Sequence, residues 1–415
     1  MVQRTPELSL KTEAWGDGLD IFRVLHDPDL RQKEFPITAA KVFLAHAASS
    51  PLPFRVSEAM VDYVRRASTE GQWEYINHQI EEETRDFAAL LLGAEKDEIA
   101  LVASTSAGLN IVAAGLPWQS GDNVIIADGD FPANVYPWLN LQALGVQVKF
   151  IPRTEDGSVT LKNIIPLVDQ RTRLVSLSSV NYLTGFQIDV PGIGAYLKGR
   201  NILFCVDAIQ SAGIFPTDLK YVDFLAAGAN KWLLGPLGTG ILFVSKKNFD
   251  VLSPSWVGWK NVRSYNNYTA YDLCFVDSAK KYEPTPICIS GMFGLHSALK
   301  MILEVQVTEI AARLADVRHR LVSILKEKGF NVLNGGDEQR YTGITSFTSP
   351  KIDIAGMRNQ IDADGFVVSL RDGLTCGKYI RVGPHFYNTD DEIQRFLDNL
   401  PTLRRLRKSH YRKLN

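Results

Sequence analysis

The feature that most constrains the fold is a series of short apolar runs, separated by segments of helical length, through residues 98–246. The runs are EIALVAS, NVIIAD, VQVKFIPR, TRLVSLSSV, NILFCVDA, VDFLAAG and GILFVSK. Continuous apolar runs of this length are typical of strands buried on both faces, and helical crossovers make successive strands parallel. The pattern therefore predicts an α/β domain with a mainly parallel seven-stranded sheet between helices.

The C-terminal part of the chain has a different pattern. After the helical stretch SGMFGLHSALKMILEV, shorter strand and helix signals follow one another in RHRLVSILKEKGF, YTGITSFTS, VVSLRDG, KYIRVGPHF and TDDEIQRFLDNL. We therefore predict a large domain over residues 36–290 and a smaller α+β domain over residues 291–415. Residues 1–35 are expected to form a helical extension that packs on the small domain or on a partner subunit.

Composition excludes several classes of protein. The 415 residues include 45 basic and 46 acidic side chains, which gives no bias towards nucleic acid or anionic membranes. The start of the chain has charges and a proline where a signal peptide needs an apolar run, and no apolar run is long enough to span a membrane, so we expect a cytoplasmic protein. The basic ending LRRLRKSHYRKLN is interpreted as the solvated face of a last helix. Four widely spaced cysteines and no His cluster predict neither disulfides nor a metal site.

One lysine, Lys231, lies in the apolar stretch FLAAGANKWLLGPLGTGILFV. A buried lysine in apolar surroundings loses its charge more readily, and a neutral amine is the nucleophile that imine chemistry with an aldehyde needs. The alternative is a lysine whose stem crosses apolar surface while its ammonium group reaches water. The local stretch leaves both interpretations open.

Polar residues also follow other predicted strands. Ser104, Thr105, Ser106 and Gly108 stand between a strand and an apolar helix, where hydroxyls and backbone N–H groups could bind a phosphate. A plain helix N-cap explains one of these hydroxyls equally well. Because ligands bind beyond the carboxyl ends of parallel strands, this position is a candidate site.

Asp207 ends the run NILFCVD, and a buried carboxylate there needs a cationic partner or caps the next helix. A protonated pyridine nitrogen would be such a partner. Phe131 follows NVIIAD, where its ring could lie against a planar cofactor or simply pack in the core. Asn181, after another strand, could donate a hydrogen bond to a phenolate-type oxygen.

Together these segments resemble the pyridoxal 5'-phosphate (PLP) enzymes of the aspartate aminotransferase-like fold type I. Within them, the chain resembles the class V aminotransferase and cysteine desulfurase (isopenicillin N epimerase-like) family. The resemblance lies in STSAGLNIVA, FPANVYPW, VDAIQ, NKWLLGPLGTG, KKYEPTPICISG and RVGPHFYNT, which occur in the family's order.

The resemblance implies a role for each matching residue. Lys231 corresponds to the Schiff-base lysine that also acts as catalytic base, and Asp207 to the catalytic partner of the pyridine nitrogen. The other cofactor contacts implied are Thr105, Ser106 and Gly108 at the phosphate, Phe131 against the ring, Gln210 and Asn181 at the 3-oxygen, and Asn230 beside the lysine. Arg381 would bind the substrate carboxylate in a bidentate manner, with Asn181 nearby. Thr285 would reach the cofactor phosphate of a neighbouring subunit, which implies a homodimer with shared active sites.

The resemblance also implies removal of the α-proton of an amino acid substrate. A carbon–sulfur lyase or cysteine desulfurase-like reaction is favoured, an epimerase or aminotransferase is the alternative, and a non-catalytic binding protein is a remote one. Phe131 and Asn230 stand where the desulfurases have histidines, and phenylalanine cannot transfer protons, which argues against a persulfide-forming enzyme. Only four residues separate Cys376 from Arg381, whereas the corresponding desulfurase loop is considerably longer, so we interpret Cys376 as an incidental cysteine in a tight turn.

Overall fold

The computed structural model describes residues 18–72, 78–269, 271–334, 342–374 and 377–403. The helices are α1 (Ile21–His26), α2 (Pro28–Glu34), α3 (Phe54–Ala67), α4 (His78–Leu92), α5 (Thr105–Gly115), α6 (Tyr136–Leu139), α7 (Leu161–Ile164), α8 (Val190–Lys198), α9 (Ile289–Val305), α10 (Val307–Glu327), α11 (Ile354–Ala363) and α12 (Asp390–Asp398). The strands are β1 (Val42–Phe43), β2 (Ile99–Val102), β3 (Asn123–Ala127), β4 (Gln147–Ile151), β5 (Thr172–Ser178), β6 (Leu203–Asp207), β7 (Phe224–Gly228), β8 (Gly240–Val244), β9 (Asn331–Val332), β10 (Thr345–Thr348), β11 (Phe366–Val367), β12 (Ser369–Asp372) and β13 (Lys378–Val382).

The large sheet has seven strands in the order β2-β8-β7-β6-β5-β3-β4. Neighbours from β7 to β4 are parallel, whereas β8 runs antiparallel to both β2 and β7. Each strand coincides with one of the apolar runs, so the predicted mainly parallel seven-stranded sheet of fold type I is confirmed.

Burial on both faces explains why most of these runs are apolar, whereas the edge strand β4 contains Gln147 and Lys149 and is largely exposed or half-buried. Along β3, Val124 and Ile126 belong to one hydrophobic core, whereas Ile125 and Ala127 belong to another. Successive residues of a strand point to opposite faces, so each core lies on its own side of the sheet. Both faces are therefore covered, as a parallel sheet requires.

A four-stranded antiparallel sheet, β12-β13-β10-β9, forms in the C-terminal part of the chain, with helices α10, α11 and α12 contacting its strands or one another. Its core contains Phe347, Ile380 and Phe396. The N-terminal strand β1 pairs in parallel with β11, so a segment that the sequence assigned to the large domain is hydrogen-bonded to the C-terminal part. The domain boundaries themselves remain predictions.

The described end of the predicted N-terminal extension is helical. In α2, Arg31 forms an ion pair with Glu392 of α12 and donates from Nε to the carbonyl of Tyr387, 2.8 Å away. Glu34 at the end of α2 accepts from Arg55, 2.7 Å away. These contacts attach α2 to both the C-terminal part and α3. Within the described ranges, no helix is long and apolar enough to cross a membrane.

Candidate active site

A cavity of about 280 Å³ lies beyond the carboxyl ends of the large sheet, facing β12 and β13. Its wall brings together many of the residues selected from the sequence. The described residues of the wall are Ala47, Ala48, Ser104, Thr105, Ser106, Phe131, Ala133, Tyr182, Asp207, Ile209, Asn230, Lys231, Arg371 and Arg381. The strands deliver these side chains to one edge because their carboxyl ends coincide there.

Lys231 follows β7 in a turn that the surrounding backbone holds in place. The Oγ of Ser50 donates to the Lys231 carbonyl at 2.6 Å, and the amide of Ser50 donates to the carbonyl of Asn230 at 2.8 Å. The side chain is only 8% exposed, which decides against the interpretation of an ammonium group in water. Burial lowers the pKa of Lys231, Arg381 and Arg371 lower it further, and Asp207 opposes the change. The pKa of about 8 makes the neutral amine far more accessible near neutral pH than in an exposed lysine.

Asp207 ends β6 at the bottom of the cavity. The amide of Ile209 donates to its Oδ1 at 3.0 Å, which holds the carboxyl group in one orientation. Burial raises the pKa of Asp207, and the nearby Asp130 raises it further, whereas the Ile209 amide and Lys231 act in the opposite direction. A carboxylate in these surroundings favours a cationic ligand group beside it.

The N-terminus of α5 forms another end of the cavity. Ser104 is the N-cap, and its Oγ accepts from the amide of Ala107 at 3.1 Å. Thr105 and Ser106 line the cavity, and their amides precede the first hydrogen bond of the helix, so this end can receive an anion. The Oγ1 of Thr105 accepts from the amide of Gly228 at 2.8 Å, which attaches α5 to β7.

Phe131 presents its ring to the cavity and is 43% exposed. The preceding Asp130 is buried, and its carboxylate accepts from the Phe131 amide at 2.7 Å and from Ser178 Oγ. Burial raises the pKa of Asp130. The Phe131 ring also meets Tyr182 edge to face, with 5.5 Å between centroids. The Phe131 backbone is thus held by Asp130, and its ring is held by Tyr182. The exposed part of the ring is available to a planar ligand.

Arg381, on β13, is 2% exposed and reaches the cavity from the small sheet. Its Nη1 donates to the carbonyl of Tyr182, whereas its Nη2 is buried and has no hydrogen-bond partner among the described residues. Burial lowers the pKa of Arg381, and the neighbouring Arg371 adds to the effect. An unpaired buried guanidinium nitrogen is costly, so this position favours an anionic ligand.

Four predicted site residues do not line the cavity, and the structure shows other contacts for three of them. Gly108 donates its amide to Ser104 O, and a Cβ there would lie 2.8 Å from Ala226 Cβ, so its role is close packing of α5 on β7. Asn181 uses Oδ1 to accept from the amides of residues 183 and 184, both 3.0 Å away. Gln210 is buried between Trp232 Nε1 and the carbonyl of residue 47.

The fourth of these residues, Thr285, is exposed. Its predicted contact is with a neighbouring subunit. Cys376 and the basic ending after residue 403 lie outside the described residues. The strands on either side of Cys376, β12 and β13, are antiparallel neighbours joined by residues 373–377.

Sequence reasoning missed Tyr182, Ala47 and Arg371 as parts of the cavity wall. Tyr182 follows Asn181 directly, so the strand-end rule that selected Asn181 could also have selected it. Asp130, between β3 and Phe131, carried the same signal. Ala47 and Arg371 carried none, because they lie far from the large-sheet strands in sequence. Among the residues that the structure describes, no group of His, Cys, Asp or Glu side chains could hold a metal ion.

Comparison with known protein families identifies the family of the chain. The family model for class V aminotransferases matches residues 42–396. The chain belongs to the class V aminotransferase family. The family predicted from the sequence is thereby confirmed, and with it the predicted enzyme class and its cofactor, PLP.

Curated relatives of the chain include a probable cysteine desulfurase of Methanothermobacter thermautotrophicus. It is 28% identical over 388 residues, which cover 88% of this chain and 94% of the relative. An uncharacterised aminotransferase of Bacillus subtilis is 29% identical over 381 residues, covering 90% and 98% of the two chains. One of these relatives is thus named as a desulfurase and the other as an aminotransferase.

A solved cysteine desulfurase from Thermococcus onnurineus superimposes with a TM-score of 0.81 at 24% identity, covering 89% of this chain and 96% of that one. The cystine C–S lyase C-DES, solved with cysteine persulfide, gives a TM-score of 0.80 at 22% identity over 88% and 98% of the chains. At this identity the likeness establishes the fold of this class V aminotransferase.

Proposed function

We propose that the chain is a PLP-dependent lyase that removes the α-proton of an amino acid and cleaves a carbon–sulfur bond at its β-carbon. The observation that carries this proposal is the arrangement of buried Lys231 and Asp207 in one cavity with the unpaired Nη2 of Arg381. An amine, a carboxylate and an anion-seeking guanidinium are the groups that an amino acid and a pyridine aldehyde require.

The residues of the cavity fit PLP. Lys231 Nζ would hold the aldehyde carbon covalently, and the amides and hydroxyls of Thr105 and Ser106 would bind the phosphate. Phe131 would pack against the ring, and Asp207 would keep the proton on the pyridine nitrogen. PLP, when bound, supplies an electron sink for the negative charge that develops at the substrate α-carbon.

The chain's own groups would perform the remaining steps. Arg381 would bind the α-carboxylate and so orient the α-carbon, because its buried Nη2 has no partner among the described residues. The lowered pKa of Lys231 suits it to take the α-proton at Nζ. Asp207, oriented by the Ile209 amide, would hold its hydrogen bond to the pyridine N–H while charge develops.

Carbon–sulfur cleavage is the reaction that we favour within the family. Relatives include proteins named as probable cysteine desulfurases, and one structural neighbour is a cystine C–S lyase. In the described wall of the cavity there is no cysteine that could accept sulfur: Cys205 is buried in a core, and Cys274 and Cys288 lie elsewhere on the surface. Cys376 lies outside the described residues. We favour elimination, in which sulfur leaves as a free thiol, because Phe131 lines the cavity where the desulfurases have a proton-transferring histidine.

We further propose that the enzyme works as a homodimer. Large apolar side chains are exposed between β8 and α9, namely Trp256, Val257, Trp259, Tyr268, Tyr271 and Leu273. Exposed apolar patches of this kind mark interfaces, and exposed Thr285 follows the same segment. Sedimentation should give a dimer, and Tyr271→Glu should weaken it. A location in the cytoplasm remains a prediction.

The reaction is tested with purified protein, added PLP and a panel of amino acids, measuring pyruvate, sulfide, keto acids and inversion together. A β-elimination gives pyruvate, ammonia and a thiol from one substrate, whereas sulfur transfer to the protein would leave alanine. Lys231→Ala should abolish turnover, and reduction with borohydride should label Lys231 with the cofactor. The exposed Lys41→Ala is the matched control and should retain activity. A fully active Lys231→Ala enzyme would refute the proposal.

A further inference from the structure

We infer that the substrate carries a second anionic group, on its side chain, and that Arg371 binds it. This inference rests on the proposed function, because it concerns the substrate of the same cavity. It narrows the substrate to an amino acid whose side chain ends in an anionic oxygen group such as a carboxylate.

Strand register places Arg371 beside Arg381. Across the antiparallel pair β12–β13, Arg381 lies opposite Ser369 and Arg371 lies opposite Tyr379. Arg371 is two residues beyond Ser369, so the two arginines are diagonal neighbours on the same face, a spacing of about 7–8 Å that long side chains can bridge. Both arginines line the cavity. Two arginines at this spacing can bind two anionic groups of one small molecule.

Neither arginine is neutralised by the protein. Among the described residues, neither forms an ion pair. Arg371 donates from Nη1 to the carbonyl of Leu370 at 2.8 Å, and Arg381 donates to the carbonyl of Tyr182. These are neutral acceptors, and the Nη2 of Arg381 has none within the described part of the chain. Two unneutralised guanidinium groups on one wall favour a ligand with two negative charges.

The other charges of the proposed complex are already assigned. Asp207 would face the pyridine nitrogen, and Thr105 and Ser106 would bind the phosphate, where α5 is attached to β7. The arginines enter from the opposite side of the cavity. Arg381 contacts the backbone after β5, and residue 374, just beyond β12, accepts from Arg153, next to β4. The α-carboxylate occupies Arg381, which leaves Arg371 for the side chain.

Binding of unreactive ligands to the PLP-loaded enzyme tests this directly. Calorimetric titration compares the dianions succinate and glutarate with their monoamides, succinamate and glutaramate, which have the same length and one charge fewer. A charge-assisted hydrogen bond corresponds to about tenfold in affinity. At least one of the two dianions, succinate or glutarate, should bind about tenfold more tightly than its own monoamide.

The variant Arg371→Gln should reduce this dianion-to-monoamide ratio to about twofold or less. Lys378→Gln is the matched control, because it removes an exposed cation from the same hairpin, paired with Asp372 at 3.3 Å. It should leave the ratio unchanged. A ratio near one in the unmodified enzyme, or an undiminished ratio in Arg371→Gln, would overturn the inference.

Reaction measurements separate this inference from the proposed function. S-carboxymethyl-L-cysteine and its neutral carbamoylmethyl analogue differ by one charge at equal size. The inference expects the charged substrate to have at least a tenfold lower KM, with the difference lost in Arg371→Gln. Cleavage of both substrates with equal KM would refute the inference but keep the lyase. Dianion-selective binding without cleavage of any carbon–sulfur substrate would refute the lyase but keep the role of Arg371.

Discussion

The Nζ atom of Lys231 lies 5.3 Å from the centroid of the Phe131 ring. The amine and the aromatic ring come from turns after β7 and β3, which are separated in the sheet by β6 and β5. Their approach across the cavity puts the group that would hold PLP covalently beside the ring that would pack on it. We therefore predict that Phe131 contributes an aromatic contact to the site and takes no part in proton transfer.

Replacing Phe131 with Ala should weaken PLP binding about tenfold, because the aromatic contact with the ring is lost. Titration of the apoenzyme with PLP, followed by tryptophan fluorescence, measures the change. Phe131→Tyr should bind nearly as tightly as the unmodified protein. Tyr136→Ala, which removes a nearby exposed ring outside the cavity, is the control. Equal affinities for Phe131→Ala and the control would contradict the proposed packing.

Asp207→Asn should stabilise the apoenzyme near neutral pH. In the unfolded chain Asp207 has its ordinary pKa, whereas burial raises the pKa of the folded state. The folded state then binds the proton more tightly, so stability is lost as the pH rises through the raised pKa. Asparagine cannot ionise and avoids this loss, which we expect to be on the order of 1 kcal/mol.

Thermal unfolding of apo Asp207→Asn and apo wild type across the pH range checks this sign. The variant should melt at a higher temperature at about pH 8, and the difference should shrink towards about pH 4, where both side chains are neutral. Added PLP should stabilise the wild type more than the variant, because only the carboxylate pairs with the pyridinium. A variant that is less stable at every pH would show that the carboxylate is stabilised by its surroundings.

Gly108→Ala should destabilise the fold by about 1–3 kcal/mol, because its Cβ would lie 2.8 Å from that of Ala226. Urea unfolding measures the change. Gly199→Ala is the control, since φ is −62° there and the nearest atoms to a Cβ are 3.6 Å away. If Gly108 instead served the phosphate, as the sequence suggested, the variant would keep its stability and lose PLP affinity.

Cys376→Ala should keep nearly all activity towards the true substrate. The prediction follows from the short connection between β12 and β13 and from the elimination chemistry proposed above, which needs no thiol on the protein. Steady-state kinetics measures it, with Arg381→Lys as the contrasting variant. Lysine cannot form the bidentate grip, so that variant should lose at least about tenfold in kcat/KM. A Cys376→Ala enzyme that binds substrate but cannot turn it over would establish sulfur transfer.

Site residues just after the strands of the large sheet could be predicted from the sequence, because their position follows from the strand that precedes them. Lys231, Asp207 and Phe131 follow apolar runs, and parallel strands bring their carboxyl ends to one edge. The direction of a side chain does not follow from its position in the same way. Neither Asn181 nor Gln210 lines the cavity, and their side-chain oxygens accept from backbone amides and from Trp232, so their roles at the cofactor stay predictions.

The sequence by itself determined the seven strands, because short apolar runs alternating with segments of helical length are typical of a parallel sheet between two layers of helices. It also determined which strand ends carry an amine, a carboxylate and hydroxyls. Tertiary structure alone decided that Arg371 joins Arg381 at the cavity and that Ala47 completes its wall. These residues come from segments remote in sequence, and their meeting depends on β1 pairing with β11 and on the register of β12 with β13. Such pairing is set by long-range packing, which no local pattern of residues encodes.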